Sequence, residues 1–184
     1  MSETAIETPR LRLRSWRPAD LAPFHAICSD PQVMATLGPV MGVAETEALI
    51  ERVARIEAEQ GHTFWALERR EDGALVGWCG VIPGTAGPVE GKAEIGWRLA
   101  RACWGLGYAS EAARATLDWL FANRPVDSAW AITSVGNTRS RAVMERLGMS
   151  YCPHLDFALP KLAQDDPLLW HVTYRLSRSD WRDR

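Results

Sequence analysis

Polar and apolar residues alternate over positions 10–16, with Leu11 and Leu13 on one face and Arg10, Arg12 and Arg14 on the other. This period of two predicts a first strand, and leaves its arginines as solvated charges. Pro18 and Asp20 then open a short helix whose apolar side is Leu21, Phe24 and Ile27. Residues 44–60 place Leu49, Val53 and Ile56 at helical spacing, with Glu45 and Glu47 early, Arg52 and Arg55 later and Gly61 as the stop. Two β-rich runs, 64–69 and 75–82, flank Asp72-Gly73, the strongest hairpin signal in the chain. A Pro/Gly loop occupies 83–91.

The period changes once more across 94–121. Ile95, Trp97 and Leu99 alternate with Glu94, Gly96 and Arg98 as in a strand with one buried face. Ala109, Ala112, Ala113, Thr116, Leu117, Leu120 and Phe121 then form a helical stripe opposite Glu111, Arg114 and Asp118. Gly105 and Gly107 fall where strand becomes helix. Glycines there let the backbone turn tightly, and the N–H groups and dipole of a helix N-terminus attract phosphate. A tight connection without a ligand fits the same residues. Nucleotide signatures fit worse, because no Gly-x-x-x-x-Gly-Lys-Ser/Thr occurs and the turn lacks the third glycine of Gly-x-Gly-x-x-Gly.

Residues 130–135 read as a strand, and 137–149 as a helix capped by Asn137 and ended by Gly148. Ser140 shares a face with Val143, Met144 and Leu147, which suits either a buried hydroxyl bonding backbone or one facing a site. A strand or bend follows Met149, then an irregular segment at 153–167 and a final strand at 170–176. No repeat or linker interrupts the chain, so residues 1–184 are expected to form one domain.

A length of 184 residues, 47% hydrophobic and 24% charged, suits a globular domain with a sizeable core. A net charge of −2 argues against nucleic acid or a membrane surface as partner. The N-terminus lacks a basic, apolar leader and no run is long enough to span a bilayer, so a cytoplasmic location is expected. Cys28, Cys79, Cys103 and Cys152 show no Cys-x-x-Cys spacing, which disfavours a disulfide framework or a metal site and predicts reduced, mostly buried thiols. The nine Trp residues read as core, with one or two at a ligand. His25, His62, His154 and His171 form no His-x-x-x-Asp or His-Glu-x-x-His, and Gly-x-Ser-x-Gly is missing, which disfavours hydrolases.

Three motifs together carry a resemblance: Thr8-Pro-Arg-Leu-Arg-Leu-Arg with Pro18-Ala-Asp, Glu94-Ile-Gly-Trp through Gly107-Tyr-Ala-Ser-Glu-Ala, and Asn137-x-x-Ser with Leu147-Gly-Met. They resemble GNAT-family N-acetyltransferases, in the branch of the ribosomal-protein N-terminal acetyltransferases. The resemblance implies an α/β (α+β) fold with a mixed central sheet flanked by helices, whose fourth and fifth strands splay around the pantetheine arm of acetyl-CoA. It implies that backbone amides of Gly105, Leu106, Gly107, Tyr108, Ala109 and Ser110 hold the pyrophosphate, with Trp104 standing where the family has Gln or Arg. Trp97 and Leu99 match the strand positions that pair with pantetheine, and Asn137 the Asn that reaches the same arm. Arg101, Arg139 and Arg141 are candidates for the outlying phosphate.

By the same resemblance the chain is an acetyl-CoA-dependent enzyme without a metal, acetylating a primary amine by direct attack in a ternary complex. The acceptor is a protein N-terminal α-amine, or alternatively a small-molecule amine or amino acid. A non-catalytic CoA-binding module also fits, and a homodimer is compatible. Ser140 matches the hydroxyl that assists the departing thiolate, and Glu94 is the candidate base, with a solvated or salt-bridged carboxylate as the other reading. Deprotonating a Lys ammonium (pKa ~10.4) with an unshifted Glu (~4.3) is uphill by roughly 8 kcal/mol, against roughly 5 for an α-amine, which favours a water relay and an α-amine. Residues 34–47 and 153–167 are expected to hold the acceptor, with Trp16, Phe157 or Trp170 packing its apolar part. Asp156, Asp165 and Asp166 against Lys161 favour a cationic acceptor over an anionic one.

Overall fold

The computed structural model describes residues 6–183. Strands β1 (Ile6–Glu7) and β2 (Leu11–Arg14) lead into helices α1 (Leu21–Cys28), α2 (Pro31–Met34) and α3 (Val43–Gln60). The hairpin β3 (Phe64–Arg69) and β4 (Leu75–Pro83) and strand β5 (Ala93–Leu99) precede α4 (Tyr108–Asn123). Strand β6 (Ser128–Ser134), α5 (Thr138–Arg146), β7 (Ser150–Tyr151), β8 (Phe157–Ala158), β9 (Trp170–Ser177) and α6 (Arg178–Arg182) complete the chain. They build one mixed sheet in the order β1-β2-β3-β4-β5-β6-β9-β7, with β8 paired to β9.

Every neighbouring pair is antiparallel except β5 and β6, which are parallel and share the single register pair Glu94↔Trp130. By contrast, β4 and β5 stay paired from Pro83↔Ala93 to Gly77↔Leu99, and β6 and β9 from Ser128↔Ser177 to Ser134↔His171. The sheet therefore opens beyond Glu94. This is the expected splay of fourth and fifth strands, shifted by one in number because the short β1 precedes them.

The faces of the sheet bury different cores. On one side Leu11, Leu13, Trp65, Ile95 and Leu99 pack with Ala112, Ala113, Leu117 and Leu120 of α4, the stripe read from helical spacing. On the other, Phe64, Trp78 and Ile82 pack with Phe24 and Ile27 of α1 and Val53 of α3. Burying such side chains stabilises the fold by roughly 1.5–3 kcal/mol each.

Arg14 departs from the expected solvated strand face. It is 3% exposed, its guanidinium forked onto Asp20 (Nη1–Oδ2 2.7 Å, Nη2–Oδ1 2.8 Å) while Nε donates to Glu68 at 2.6 Å. The Asp20 bond, and after it Glu68, raise its affinity for the proton against the cost of burial. A period of two says which residues share a face, and says nothing of whether that face is covered. The short α2 was not expected either, although Asp30 caps it through Oδ1 to Gln32 N at 2.8 Å and Pro31 opens it.

Candidate active site

Beyond the Glu94↔Trp130 pair, where β5 parts from β6, a cavity of about 770 Å³ lies between the end of β5, the start of α4 and α5. Its walls come from both faces of the sheet. Leu99 and Val143 belong to the α4 side, and Val33 to the α1 side. Ser134 Oγ donates to the Thr36 carbonyl at 2.9 Å, tying the turn after α2 to β6 beside the cavity.

At one end stands the glycine turn. Gly107 is the N-cap of α4 with φ +80°, and Gly105 has φ +75°. In this left-handed region an L side chain costs roughly 1–2 kcal/mol. A Cβ on Gly105 would meet no atom within 4 Å, so the turn borders open space. No side chain caps α4, and among the described residues none of the backbone N–H groups from Gly105 to Ser110 finds an acceptor. Free N–H groups at the positive end of a sixteen-residue helix form a cradle for an anion. The donor set fits a pyrophosphate.

Most residues singled out in the sequence meet here: Trp97, Leu99, Trp104, Gly105, Gly107, Tyr108, Ala109, Ser110, Asn137 and Ser140 all line the cavity. Leu106 does not; its side chain is 47% exposed and its carbonyl accepts from Arg10 Nη1 at 2.9 Å. Trp104 donates from Nε1 to the Leu99 carbonyl at 3.1 Å, which occupies one of the strand groups expected to pair with a ligand. Arg139 lies over the Trp104 ring at 4.2 Å, whereas Arg141 turns away to Tyr174 Oη at 3.2 Å. Arg101 is exposed outside the lining.

Asn137 has both ends of its amide engaged within the chain. Oδ1 accepts from Ser140 N at 3.2 Å, as the N-cap of α5, and Nδ2 donates to Thr133 Oγ1 at 2.9 Å. One Nδ2 hydrogen is left for anything else. Ser140 sits one turn into α5, half-buried, and its hydroxyl makes no hydrogen bond among the described residues. The buried, backbone-bonded serine allowed by the sequence is not what the structure shows.

Glu94 lies at the fork itself, outside the cavity lining. Burial pushes its carboxyl up to about 7, against the pull of Arg52 on α3 and a backbone hydrogen bond from Thr85. That excludes a freely solvated carboxylate. Of the acceptor segments, Thr36 and Leu37 reach the cavity, but no residue of 153–167 does. Asp156 instead accepts from Tyr151 Oη and from Thr173 N, β8 pairs with β9, and the Phe157 ring packs against Gly87 in the loop between β4 and β5. Trp16, Phe157 and Trp170 also lie outside the lining.

Val33, Arg98 and Arg146 line the cavity without having been singled out. Arg98 had a signal, as a charged residue between two strand positions already assigned to the site.

The described residues contain no group of three or more His, Cys, Asp or Glu able to hold a metal, and no helix long and apolar enough to cross a membrane. A family model described as the acetyltransferase (GNAT) domain matches residues 10–150. The chain is 35% identical over 153 residues to protein YkkB of Bacillus subtilis, covering 82% of this chain and 87% of that one. It is 28% identical over 144 residues to the uncharacterized N-acetyltransferase p20 of Bacillus licheniformis, covering 77% and 80% respectively. A solved acetyltransferase structure from Agrobacterium tumefaciens matches with a TM-score of 0.78 at 27% identity, over 96% of this chain and 95% of that one. The ribosomal-protein α-N-acetyltransferase RimL in complex with coenzyme A shares the fold, with a TM-score of 0.77 at 15% identity over 96% and 99%. The chain belongs to the GNAT acetyltransferase family and is an acetyltransferase.

Proposed function

We propose that the protein transfers an acetyl group from acetyl-CoA to a primary amine by direct attack within a ternary complex. One observation carries this reading: the cavity beside the parted strands ends on a glycine turn whose backbone N–H groups have no acceptor among the described residues. Acetyl-CoA supplies the activated thioester. The amides from Gly105 to Ser110 hold its pyrophosphate, and Trp97 and Leu99 flank the pantetheine arm in the gap, with the spare Nδ2 hydrogen of Asn137 directed to the same arm. Trp104, carrying Arg139 on its face, closes the wall beside it.

Ser140 donates its free hydroxyl toward the thiolate as it departs. With a thiol pKa near ~8.5, that hydrogen bond suffices without full proton transfer. Glu94 takes up the proton the amine gives away, directly or through a water, at the fork where β5 leaves β6. An amine acceptor follows from this base near neutrality. The likeness to RimL, at the level of fold, supports no choice between a protein N-terminus and a small amine. Calorimetric titration tests the donor half of the proposal: acetyl-CoA binds the native protein and not a folded Gly107→Glu variant, and equal binding by both would remove the pyrophosphate assignment.

A further inference from the structure

We propose that Arg10 is a positioning residue for the cofactor's phosphates, holding the Glu111 carboxylate away from the glycine turn and so keeping the amide cradle open; this rests on the pyrophosphate placement above. Arg10 lies in the turn between β1 and β2, outside the cavity lining. Its Nε and Nη2 both meet Glu111 Oε2, at 2.7 and 2.6 Å, and its backbone N–H donates to Glu111 Oε1 at 3.0 Å. Thr8 Oγ1 is a fourth donor, to Oε1 at 2.6 Å. The remaining arm, Nη1, donates to the Leu106 carbonyl at 2.9 Å, and the guanidinium stands 4.7 Å from the Tyr108 ring centroid. Although its side chain is 48% exposed, Arg10 is not the solvated charge that strand alternation predicts.

Glu111 stands in the first turn of α4, whose N-cap is Gly107. A carboxylate there is attracted to the helix's own free N–H groups, competes for them as a capping glutamate does, and repels any other anion they receive. Yet no side chain caps α4, and the amides from Gly105 to Ser110 find no acceptor among the described residues. The 8–10 turn accounts for this, because both Glu111 oxygens accept from Thr8 and Arg10 and from nothing on α4. Against the cost of burial, those hydrogen bonds hold the Glu111 carboxyl below the usual carboxylate range. It is therefore a charge that has to be neutralised beside an anion site, and Arg10 neutralises it.

The same guanidinium sets the direction of one cradle amide. The C=O and N–H of a trans peptide point opposite ways, so a Leu106 carbonyl fixed on Arg10 aims the Gly107 N–H away from Arg10. Gly107 lines the cavity, whereas Leu106 and Arg10 do not. Between two glycines, both at positive φ, that peptide is free to turn over unless its carbonyl is held. One side chain outside the site thus restrains both the competing carboxylate and the donor it would compete for.

Calorimetry of acetyl-CoA on Arg10→Met, Glu111→Ala and the double variant, with a melt to show that each is folded, tests the proposal. Arg10→Met weakens acetyl-CoA binding roughly ten- to hundredfold, the range for loss of a charged hydrogen bond. Glu111→Ala alone binds at least as tightly as native protein. The double variant recovers most of what Arg10→Met lost, because the carboxylate set free by the first change is gone. A brace that only stabilised the fold would leave the double variant no tighter than Arg10→Met. Arg10→Lys, which keeps the charge and loses the fork, falls between native and Arg10→Met and takes its place, singly and in the double variant, if Arg10→Met does not fold. Native affinity in a folded Arg10→Met, or a double variant as weak as the single one, overturns the proposal. If Gly107→Glu binds acetyl-CoA as native protein does, the pyrophosphate placement fails and takes this with it; if Gly107→Glu does not bind while Arg10→Met binds normally, only the role of Arg10 is lost.

Discussion

Replacing Glu94 with Gln keeps the shape of the side chain and removes its titration, so it isolates what burial does to the candidate base. The carboxyl stands at about 7, against an ordinary 4.5. At that value, taking a proton from an α-amine is uphill by about 1 kcal/mol and from a Lys ammonium by about 5, instead of roughly 5 and 8 for an unshifted glutamate. Burial thus removes between about 3 and 4 kcal/mol from the proton transfer, at the rate of ~1.36 kcal/mol per pKa unit. In native protein kcat/KM rises with unit slope and levels off as pH passes about 7, since Glu94 works only when ionised. Glu94→Gln lowers kcat/KM by about a hundred- to ten-thousandfold at alkaline pH and loses that limb.

Stability moves the other way. A carboxyl with a folded pKa above its unfolded one is no burden while protonated in both states, below 4.5; the burden then grows as pH rises from 4.5 and is complete once pH passes about 7. Glu94→Gln is therefore more stable than native protein above neutrality, by up to about 3 kcal/mol, and no more stable in acid. Thiol release across a pH series, with thermal melts at the two extremes, reads both effects. A limb centred in the ordinary carboxylate range, or one that survives in Glu94→Gln, refutes the assignment of Glu94 as base.

Gly107→Glu places a carboxylate in the anion cradle and an L side chain at φ +80°; acetyl-CoA binding is lost and about 1–2 kcal/mol of stability with it, read by calorimetry and melting. Ser140→Ala lowers kcat by roughly ten- to ten-thousandfold with acetyl-CoA affinity little changed, and equal turnover in the two proteins would leave the hydroxyl without a role. Asp20→Asn unpairs the fork on buried Arg14 and costs about 3 kcal/mol in urea denaturation, with no effect on acetyl-CoA binding because the cluster lies away from the cavity.

What the sequence made legible is what one element dictates locally. The strand, turn and helix from Glu94 to Phe121 announce themselves by a change of period with glycines at the junction, and α4 buries Ala112, Ala113, Leu117 and Leu120 as spaced. The cap on α5 was equally local: Asn137 Oδ1 meets Ser140 N. What escaped depends on elements meeting. Arg14 and Arg98 are both charged residues alternating on strands, yet one is forked by Asp20 and Glu68 and the other faces Cys28, Met41 and Trp78, and no spacing along β2 or β5 tells these apart. The raised pKa of Glu94 arises from burial at the fork, with Arg52 of α3 in opposition. The segment 153–167 looked like a specificity loop because it is irregular, but pairing through Phe157↔His171 commits it to β9. Helix α6 carried a readable signal in Ser177 and Asp180, since Ser177 Oγ caps Asp180 N at 3.1 Å.

The account stands most directly on whether thioester cleavage waits for an amine. Native protein mixed with acetyl-CoA is followed by a thiol-reactive dye and by mass spectrometry of the acceptor, with and without a primary amine. The account predicts slow thiol release without the amine, rapid release with it, and one acetylated amine formed for each thiol set free. Acetyl-CoA that binds over Gly105 to Ser110 while thiol release ignores every amine offered would make this cavity a CoA-binding module and contradict the account.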